Sequence, residues 1–594
     1  MSIALGIDTG GTFTDGVIID INTKEILTKA KALTTRQNLS IGITECIDGL
    51  TEINLSDIKL VSLSTTLATN AIVEGQGCEV GLILIGSDPL KKLPTRNVIT
   101  VKGGHNIKGK EKQQLDIDEI KKAILELKPK VDAFAVSGYL SIRNPQHELA
   151  VKELIRELTG YQVVCAHELT TTLGFYERTV TATLNARLLP IIADLLSAVK
   201  KTMEEKSINA PLMIVKGDGS LISETVAKDR PIETLLSGPA ASIVGAHYLT
   251  NMPNVIIADM GGTTTDIAVV SNGVPSVNPE GALVGGWLTR VNAASISTVG
   301  IGGDSYIQVN KEGKVSVGPQ KVFPLAWVTH AYPHIIQELE EIARANYYPL
   351  FAQAPDVLVY VKEPIHLGLS SHEKELLEII KHKPHTLYAL GQMLGKDPNI
   401  LPWERLVEIG LVHRSSLTPT DLLHYSKQLD LWNREAAEKA VIIQAQKAGQ
   451  DVNSFCEAVH EQMSLKVAVT ILEKVLSEEA GSVIFDDCSN CRTFLERMLG
   501  NNKSKIFNIT PSASYPLVAI GAPVAAYYPS ISAKIGAELI IPKHAEVANA
   551  IGAATGNVIE KLELLVQPSP EGGYLAYTPW GRKWFRDLDE ATGH

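Results

Sequence analysis

The pattern Asp-x-Gly-Gly-Thr-x-Thr-Asp occurs twice, as Asp8–Asp15 in GIDTGGTFTD and as Asp259–Asp266 in IADMGGTTTD. Each copy lies beside a run of Ile, Val and Ala. SIALGID reads as a buried strand, GVIIDI as a second strand and EILTKAKAL as a third, with NTK as the turn between the last two. The repeated device is therefore expected to be a hairpin loop. Paired glycines leave no Cβ in the way of a ligand and allow positive φ, and their N–H groups can converge on an anion. Thr hydroxyls add neutral donors. An Asp at a strand end repels bare phosphate but holds a hydrated Mg²⁺ that bridges to one. One such loop is an ordinary tight turn. Two, with Asp at both ends of each, predict a duplicated fold whose halves grip one phosphate chain from two sides.

The chain has 594 residues, more than one core accommodates, so two or three domains are expected. Its net charge of −11 argues against nucleic acid or an anionic membrane as partner. No apolar run reads as a membrane helix. MSIALGID enters a strand at once and is not read as a signal peptide. Six cysteines in so long a chain do not make a disulfide framework, so reduced thiols and a cytoplasmic location are expected.

The paired loops resemble those of the superfamily of acetate and sugar kinases, Hsp70 and actin. Within it the chain is similar to the hydantoinase A and 5-oxoprolinase family, which includes N-methylhydantoinase A and the ATP-using subunits of acetone and acetophenone carboxylases. The resemblance rests on STTLATNAIVEG (64–75), VSGYLSIRNPQHE (136–148), HELTTTLGFYERTVTATLNARLLP (167–190), GDGSLISETVAKDRPIETLLSGPAASIVGA (217–246), STVGIGGDS (297–305) and LTPTDLLHYSKQLD (417–430). Leu63 and Ser64 stand where the family has His-Gly, and Asp304 where it has Gly. The resemblance implies an α/β fold of duplicated actin-like (ribonuclease H-like) ATPase domains, with a nucleotide cleft between them and an α-helical insertion. It implies ATP and Mg²⁺ as cofactors. Asp8 and Asp259 would hold Mg²⁺ through water and serve as catalytic carboxylates. Thr9, Gly10, Gly11, Thr12 and Thr14, with Gly261, Gly262, Thr263, Thr264, Gly302 and Gly303, would surround the phosphates. Gly521, in LVAIGAPVAA (517–526), would let the backbone approach the adenosine. His167 and Glu168, at a strand end facing a ligand crevice, resemble the family's Ser-His-Glu segment and are the other catalytic candidates.

The expected domains are a first α/β lobe over 1–190, a second over 191–330 that resumes over 478–545, a mainly helical insertion over 331–477, and a tail over 546–594 returning to the first lobe. The helices from His372 to Leu411 allow a winged helix, but their mixed charge favours a packing or partner-facing role over DNA binding. In HAEVANAIGAATG (544–556) small residues at Ala548, Ala550, Gly552, Ala553 and Ala554 suit a close helix crossing. DDCSNC (486–491) is a lone Cys-x-x-Cys, read as a turn with two buried thiols and weak as a zinc site. His105, His330 and His334 are read as structural, and Pro333 interrupts the helical spacing of the last two.

Cyclic amides hydrolyse slowly because resonance protects the carbonyl. Phosphorylating the carbonyl oxygen makes it a leaving group, and in the carboxylases the same step activates a ketone or bicarbonate. Ser237 in LLSGPA lacks a nucleophile elbow and a His–Asp partner pattern. The expectation is an ATP-dependent hydrolase of cyclic amides or the ATP-using subunit of a carboxylase. Its substrate would be a small cyclic amide or ketone, and its partner a B-type hydantoinase subunit; a homo-oligomer stays open. The alternatives are a small-metabolite kinase and an ATPase motor acting on a protein.

Overall fold

The computed structural model describes residues 2–593 apart from 12, 36–38, 52, 88–90, 347, 365–367, 486–487, 501–508, 560–564, 570–571 and 579–580. The fold is mixed α/β. Residues 1–556 form one compact unit and 557–594 another.

The chain enters as β1 (Ile3–Thr9), β2 (Phe13–Asp20) and β3 (Glu25–Leu33), an antiparallel meander, and then adds β4 (Ile58–Thr65) parallel to β1. All seven residues of β1 are buried because this strand has neighbours on both edges and layers on both faces. β5 (Val80–Ile85), β6 (Asn97–Val101), β7 (Ala133–Gly138) and β8 (Gln162–Cys165) form a second, all-parallel sheet in the order β8-β7-β5-β6. Near-continuous apolar runs such as VGLILI and AFAVSG suit strands covered on both faces.

Helix α1 (Phe175–Glu205) follows and runs through Pro190, the expected end of the first lobe. Beyond it β9 (Leu212–Val215) lies parallel to β4 and pairs with β10 (Leu221–Ser223), completing a first sheet of order β10-β9-β4-β1-β2-β3. The boundary at 190 is thus corrected: the first sheet takes chain up to 223. Helix α1 also corrects the reading that no segment has membrane-span character. It has the length and the mean hydropathy, 1.4, of such a span, but 61% of its apolar window is buried inside the protein. It is apolar because it packs against the second sheet on one side and the first-sheet helix Leu39–Asp48 on another.

Helix α2 (Ser237–Thr250) leads into the third sheet. Here β11 (Val255–Met260) pairs antiparallel with β12 (Thr265–Ser271), which in turn pairs with β13 (Val274–Pro275) and β14 (Ser297–Val299). On its other edge β11 lies parallel to β15 (Leu517–Ile520), which carries β16 (Leu539–Ile540). A central strand with a hairpin partner on one side and a later parallel strand on the other is the arrangement of β1 as well.

Residues 331–477 are not uniformly helical. Val357–Tyr360 pairs with His385–Thr386 and Val412–Ser416, and Phe323–Pro324 joins the edge. The β-branched run VLVY supplies the strand that helical spacing overlooked. Three helices, Ser371–His382, Leu387–Leu394 and Glu404–Glu408, pack on this small sheet around their own core of Leu376, Leu377, Leu387, Leu390 and Leu406. Helix α3 (Ile335–Ala345) and the long helix α4 (Val452–Ala480) instead bury Ile335, Leu339, Val459 and Met463 in the core that includes the third sheet. Helix α4 therefore crosses the boundary expected at 477.

Helix α5 (Ala548–Thr555) lies between β1 and α2. A Cβ on Gly6 would stand 2.0 Å from Ala550 O, one on Gly245 1.9 Å from Ala548 O, and one on Gly552 1.8 Å from Ala241 O. The small residues allow the backbones to touch. The second unit is an antiparallel meander, Leu565–Pro568, Tyr574–Thr578 and Gly581–Phe585, with a helical turn Leu588–Thr592. Helix α5 packs against β1, and 557–594 is a body of its own.

Candidate active site

The two repeats form hairpins of the same construction. In the first, Asp8 stands opposite Asp15 and Thr9 opposite Thr14; in the second, Asp259 is opposite Asp266 and Met260 opposite Thr265. Gly10 N donates to Phe13 O at 3.0 Å, and Gly261 N donates to Thr264 O at 2.9 Å. Among the described residues the next amides, Gly11 N and Gly262 N, find no acceptor. Each turn therefore keeps an N–H for an anion. Thr12 lies outside the described residues. Thr14 Oγ1 is held by Thr34 Oγ1 at 3.0 Å, and Thr265 Oγ1 donates to Ile301 O at 2.7 Å.

Asp8 is buried at the end of β1 and accepts from Ser64, its register neighbour on β4. Burial is the main reason that its pKa rises to about 6, with Ser64 opposing and Asp15 adding to the rise. Asp259 rises to about 7, first through burial, with the Ser242 hydrogen bond opposing and Asp266 and Asp8 adding. The two carboxyls are joined by two residues. Asn549 of α5 donates its Nδ2 to Asp8 Oδ2 at 3.4 Å, and its Oδ1 lies 2.7 Å from Ser242 Oγ, which is 2.5 Å from Asp259 Oδ2. Ser242 has one proton for three acceptors, the third being Gly238 O at 3.2 Å. When it donates to Asn549, the Asp259 carboxyl supplies the proton of its own contact with Ser242, which agrees with its raised pKa.

The second turn is lined further. Gly303 N donates to Gly261 O at 3.0 Å and Asp304 N to Gly262 O at 2.6 Å. A Cβ on Gly302 would fall 2.6 Å from both Gly261 O and Gly262 O, so only glycine lets these two segments touch. Thr420, from the LTPTD segment, donates to Gly303 O at 2.8 Å. Asp304 sits beside Gly262 and 3.6 Å from Lys321 Nζ. Gly521 has φ +105°, and a Cβ there would meet Met260 O at 2.2 Å and Asp259 Oδ1 at 3.1 Å. The structure thus gathers Asp259, Gly261, Gly262, Gly302, Gly303 and Gly521 at one end of the third sheet, as their motifs imply, and joins that end to Asp8 through Ser242 and Asn549.

His167 and Glu168 separate in role. Both follow β8, in the helical turn Ala166–Leu169. Glu168 is engaged away from His167: its Oε2 accepts from Cys165 N at 3.2 Å as a helix cap, and its Oε1 pairs with Lys152 at 2.5 Å. The carboxylate on His167 is Glu148, with Oε2 2.5 Å from Nδ1 and Oε1 accepting Gly138 N at 2.7 Å. Glu148 is fully buried. Arg178, also buried, donates to Gly138 O at 3.2 Å and Tyr139 O at 3.0 Å beside it. Glu148, Cys165 and His167 approach one another within 4.8 Å, but the neighbouring guanidinium repels a metal cation and burial raises the Cys165 thiol pKa. The arrangement suits a proton-transfer dyad at the carboxyl edge of a parallel sheet.

Ser64, Ser242, Asn549 and Glu148 escaped sequence reasoning as site residues. Asn549 had a signal, being the sole polar side chain of the run ANAIGAA. Of the lesser candidates, Cys488 caps the helix Ser489–Leu499 and accepts from Cys491 N at 3.2 Å, with neither thiol buried; Asp486 and Asp487 lie outside the described residues. His105 stacks on His147 with ring centroids 4.1 Å apart.

The hydantoinase/oxoprolinase N-terminal region matches residues 4–159 and the hydantoinase/oxoprolinase domain matches 178–323, together just over half of the chain. The acetophenone carboxylase gamma subunit of Aromatoleum aromaticum is 28% identical over 364 residues, covering 53% of this chain and 49% of that subunit. Caprolactamase subunit alpha of Pseudomonas jessenii is 29% identical over 350 residues, covering 53% and 50%. The chain spans about half the length of the curated relatives it matches. The crystal structure of the ATP-dependent caprolactamase from P. jessenii superposes with a TM-score of 0.62 at 20% identity, over 95% of this chain and 72% of that one. The nucleotide-free structure of acetone carboxylase gives 0.62 at 17%, with the same coverage. The chain belongs to the hydantoinase/oxoprolinase family.

Proposed function

We propose that the chain is the ATP-using component of an enzyme that opens a cyclic amide, or carboxylates a ketone, by phosphorylating a carbonyl oxygen. The two hairpin sheets are read as duplicated actin-like ATPase lobes with the nucleotide between them. The observation that carries the reading is the pair of hairpins in matching register, whose leading carboxyls meet through Asn549 and Ser242. Relatives named as a caprolactamase subunit and as carboxylase subunits support the substrate classes.

The residues fit Mg-ATP. Asp8 and Asp259 are buried carboxyls with raised pKa values and, among the described residues, no Lys or Arg ion pair. A site short of positive charge is one that a divalent cation relieves. Asp8 and Asp259 would hold hydrated Mg²⁺, which neutralises charge on the transferring phosphoryl group. Gly11 N and Gly262 N would donate to phosphate oxygens, and Gly521 packs its backbone against Met260 beside Asp259. His167, with Glu148 holding its Nδ1, is the group suited to moving a proton during ring opening or enolisation. The relatives' description as subunits supports a partner polypeptide that completes the reaction.

The test is product analysis with ATP and a panel of lactams and ketones, with and without a B-type partner. Ring-opened acid or carboxylated ketone formed together with ADP supports the reading. A stable phosphorylated metabolite would move it to a kinase, and ADP release governed only by a protein partner to an ATPase motor.

A further inference from the structure

We propose that His334, Glu338 and His385 form a zinc site, completed by water, that fastens the small α/β subdomain at 357–416 to the core of the third sheet. The site lies outside the stretches matched by the family descriptions, which end at 323.

The ligands come from two elements. His334 immediately precedes α3 and Glu338 lies one turn on, a spacing that puts both on one helix face. His385 belongs to the two-residue strand His385–Thr386, paired with Val357–Tyr360. One ring nitrogen of each histidine and one Glu338 oxygen all lie within 4.8 Å of one another. Zinc bonds of about 2.0–2.2 Å in a tetrahedron require ligand atoms about 3.3 Å apart. The Glu338 Oε1 to His385 Nδ1 distance of 2.6 Å would open to that value, and the imidazole proton between them would leave to solvent.

Each ligand has an outer support. His334 Nε2 donates to Pro384 O at 2.8 Å, which fixes the tautomer and leaves Nδ1 with its lone pair. Glu338 Oε2 accepts Thr386 N at 2.7 Å, which directs Oε1 at His385. His385 is 3% exposed, and the Glu338 side chain 12%. Among the described residues no Lys or Arg pairs with Glu338, whose hydrogen-bond partners are His385 and Thr386. Two imidazoles and one carboxylate, with a fourth position open to water, are a ligand set that zinc takes readily. The contrasting cluster at Glu148, Cys165 and His167 has Arg178 beside it and belongs to the dyad already described.

Position gives the site a role. Ile335, Leu339 and Ile342 of α3 are buried in the third-sheet core, whereas Leu387 and Leu390, just after His385, belong to the separate subdomain core. A metal held by α3 and by His385 adds a cross-link between two cores that already meet along the strand Val357–Tyr360.

The experiment is element analysis of the full-length protein purified without a histidine tag, before and after dialysis against a zinc chelator and repletion with one equivalent of zinc. The expected result is one zinc per chain, a fall in Tm on chelation and its recovery on repletion. His334→Gln, at a half-exposed position, should abolish zinc retention, whereas Cys488→Ser with Cys491→Ser should leave it unchanged. Cobalt substitution should give tetrahedral d–d bands that His334→Gln removes. An ion pair without metal would leave Tm insensitive to the chelator and the zinc content near zero after repletion, and that result overturns the proposal. So would zinc that survives in His334→Gln and disappears with the two cysteines.

Discussion

Replacing Gly552 with Ala should loosen the protein and slow it together. The added Cβ would stand 1.8 Å from Ala241 O and 2.8 Å from Gly245 N, both backbone atoms that cannot rotate away. Relief to an ordinary contact of about 3.4 Å moves α5 from α2 by about 1.6 Å. A gap of that order forfeits about half of the dispersion energy along the crossing, where Ala241, Ala550 and Ala553 are completely buried. Overpacking of a tight core costs about 3 kcal/mol at the upper end of the usual range. Alanine's better helix propensity returns about 1 kcal/mol, so the net loss is about 2 kcal/mol. For a lobe of 150–250 residues that lowers Tm by roughly 4–8 °C.

Activity should fall further than stability. Asn549 lies one turn before Gly552, so the same displacement breaks its 2.7 Å contact with Ser242 and releases the link between Asp8 and Asp259. A loss of one to two charge-assisted hydrogen bonds, about 1.5–3 kcal/mol each, corresponds to at least a tenfold drop in ATP turnover. Thermal melts and steady-state ADP release read the two effects, with Gly368→Ala as control, since a Cβ there meets nothing within 4 Å. A Gly552→Ala protein with Tm within about 1 °C of the parent and unchanged turnover would refute the crossing as the link between packing and catalysis.

Asp8→Asn should cut ATP turnover about 100-fold or more while leaving Tm unchanged or raised, because a buried charge is removed; ADP release and a melt decide. The nucleotide-free protein should lose stability as pH rises from 5.5 to 8. Asp8, Asp259 and Asp266 have folded pKa values of about 6, 7 and 6 against 3.8 unfolded, so their stabilising protons are fully present below the unfolded value and are lost through the folded ones. Asp259→Asn should flatten that slope in Tm, and an equally steep slope in the variant would count against the assignment. Glu148→Gln should slow product formation about 100-fold with ATP affinity intact, whereas Glu168→Gln should cost at most a small destabilisation; equal effects in product assays would show that the dyad is misassigned.

The duplicated motif foretold two hairpins and where their carboxyls stand, because a shared Asp-x-Gly-Gly-Thr-x-Thr-Asp pattern fixes register as well as turn chemistry. The small-residue run likewise foretold a close crossing, since Gly and Ala at successive helical positions have few other uses. What the sequence hid was pairing at long range. Asn549 and Ser242 are 307 residues apart, and neither belongs to a motif that names a partner. Glu148 was hidden for a similar reason: choosing between it and Glu168 requires knowing how the helix Gln146–Thr159 sits over β8. The strands at 212–223 were missed because a long helix through Pro190 separates them from the sheet they finish.

The two hairpins have diverged in charge although their backbones match. In the first, Asp15 faces Lys31 directly across β2 and β3, with Nζ 2.8 Å from the carboxylate, so one of its two acids is neutralised within the sheet. In the second, the register partner of Asp266 is Thr298, whose hydroxyl donates at 2.6 Å but brings no charge. Burial then raises Asp266 to about 6, and Asp259 beside it to about 7. A hydroxyl hydrogen-bonds a buried carboxylate but brings none of the Coulomb attraction of an ammonium, so Lys31 opposes the rise that burial imposes on Asp15 where Thr298 offers Asp266 a hydrogen bond alone. The second hairpin is therefore the side of the site that lacks positive charge, and under the proposed function a divalent cation held by Asp8 and Asp259 would draw more of its stabilisation from there. In the first hairpin Asp8 has no ion pair among the described residues but the second acid has Lys31, and under the proposed function its turn amides would orient phosphate. Two loops alike in all but two positions thus differ in charge, and the residue that sets the difference, Lys31 against Thr298, lies outside the repeat in both copies.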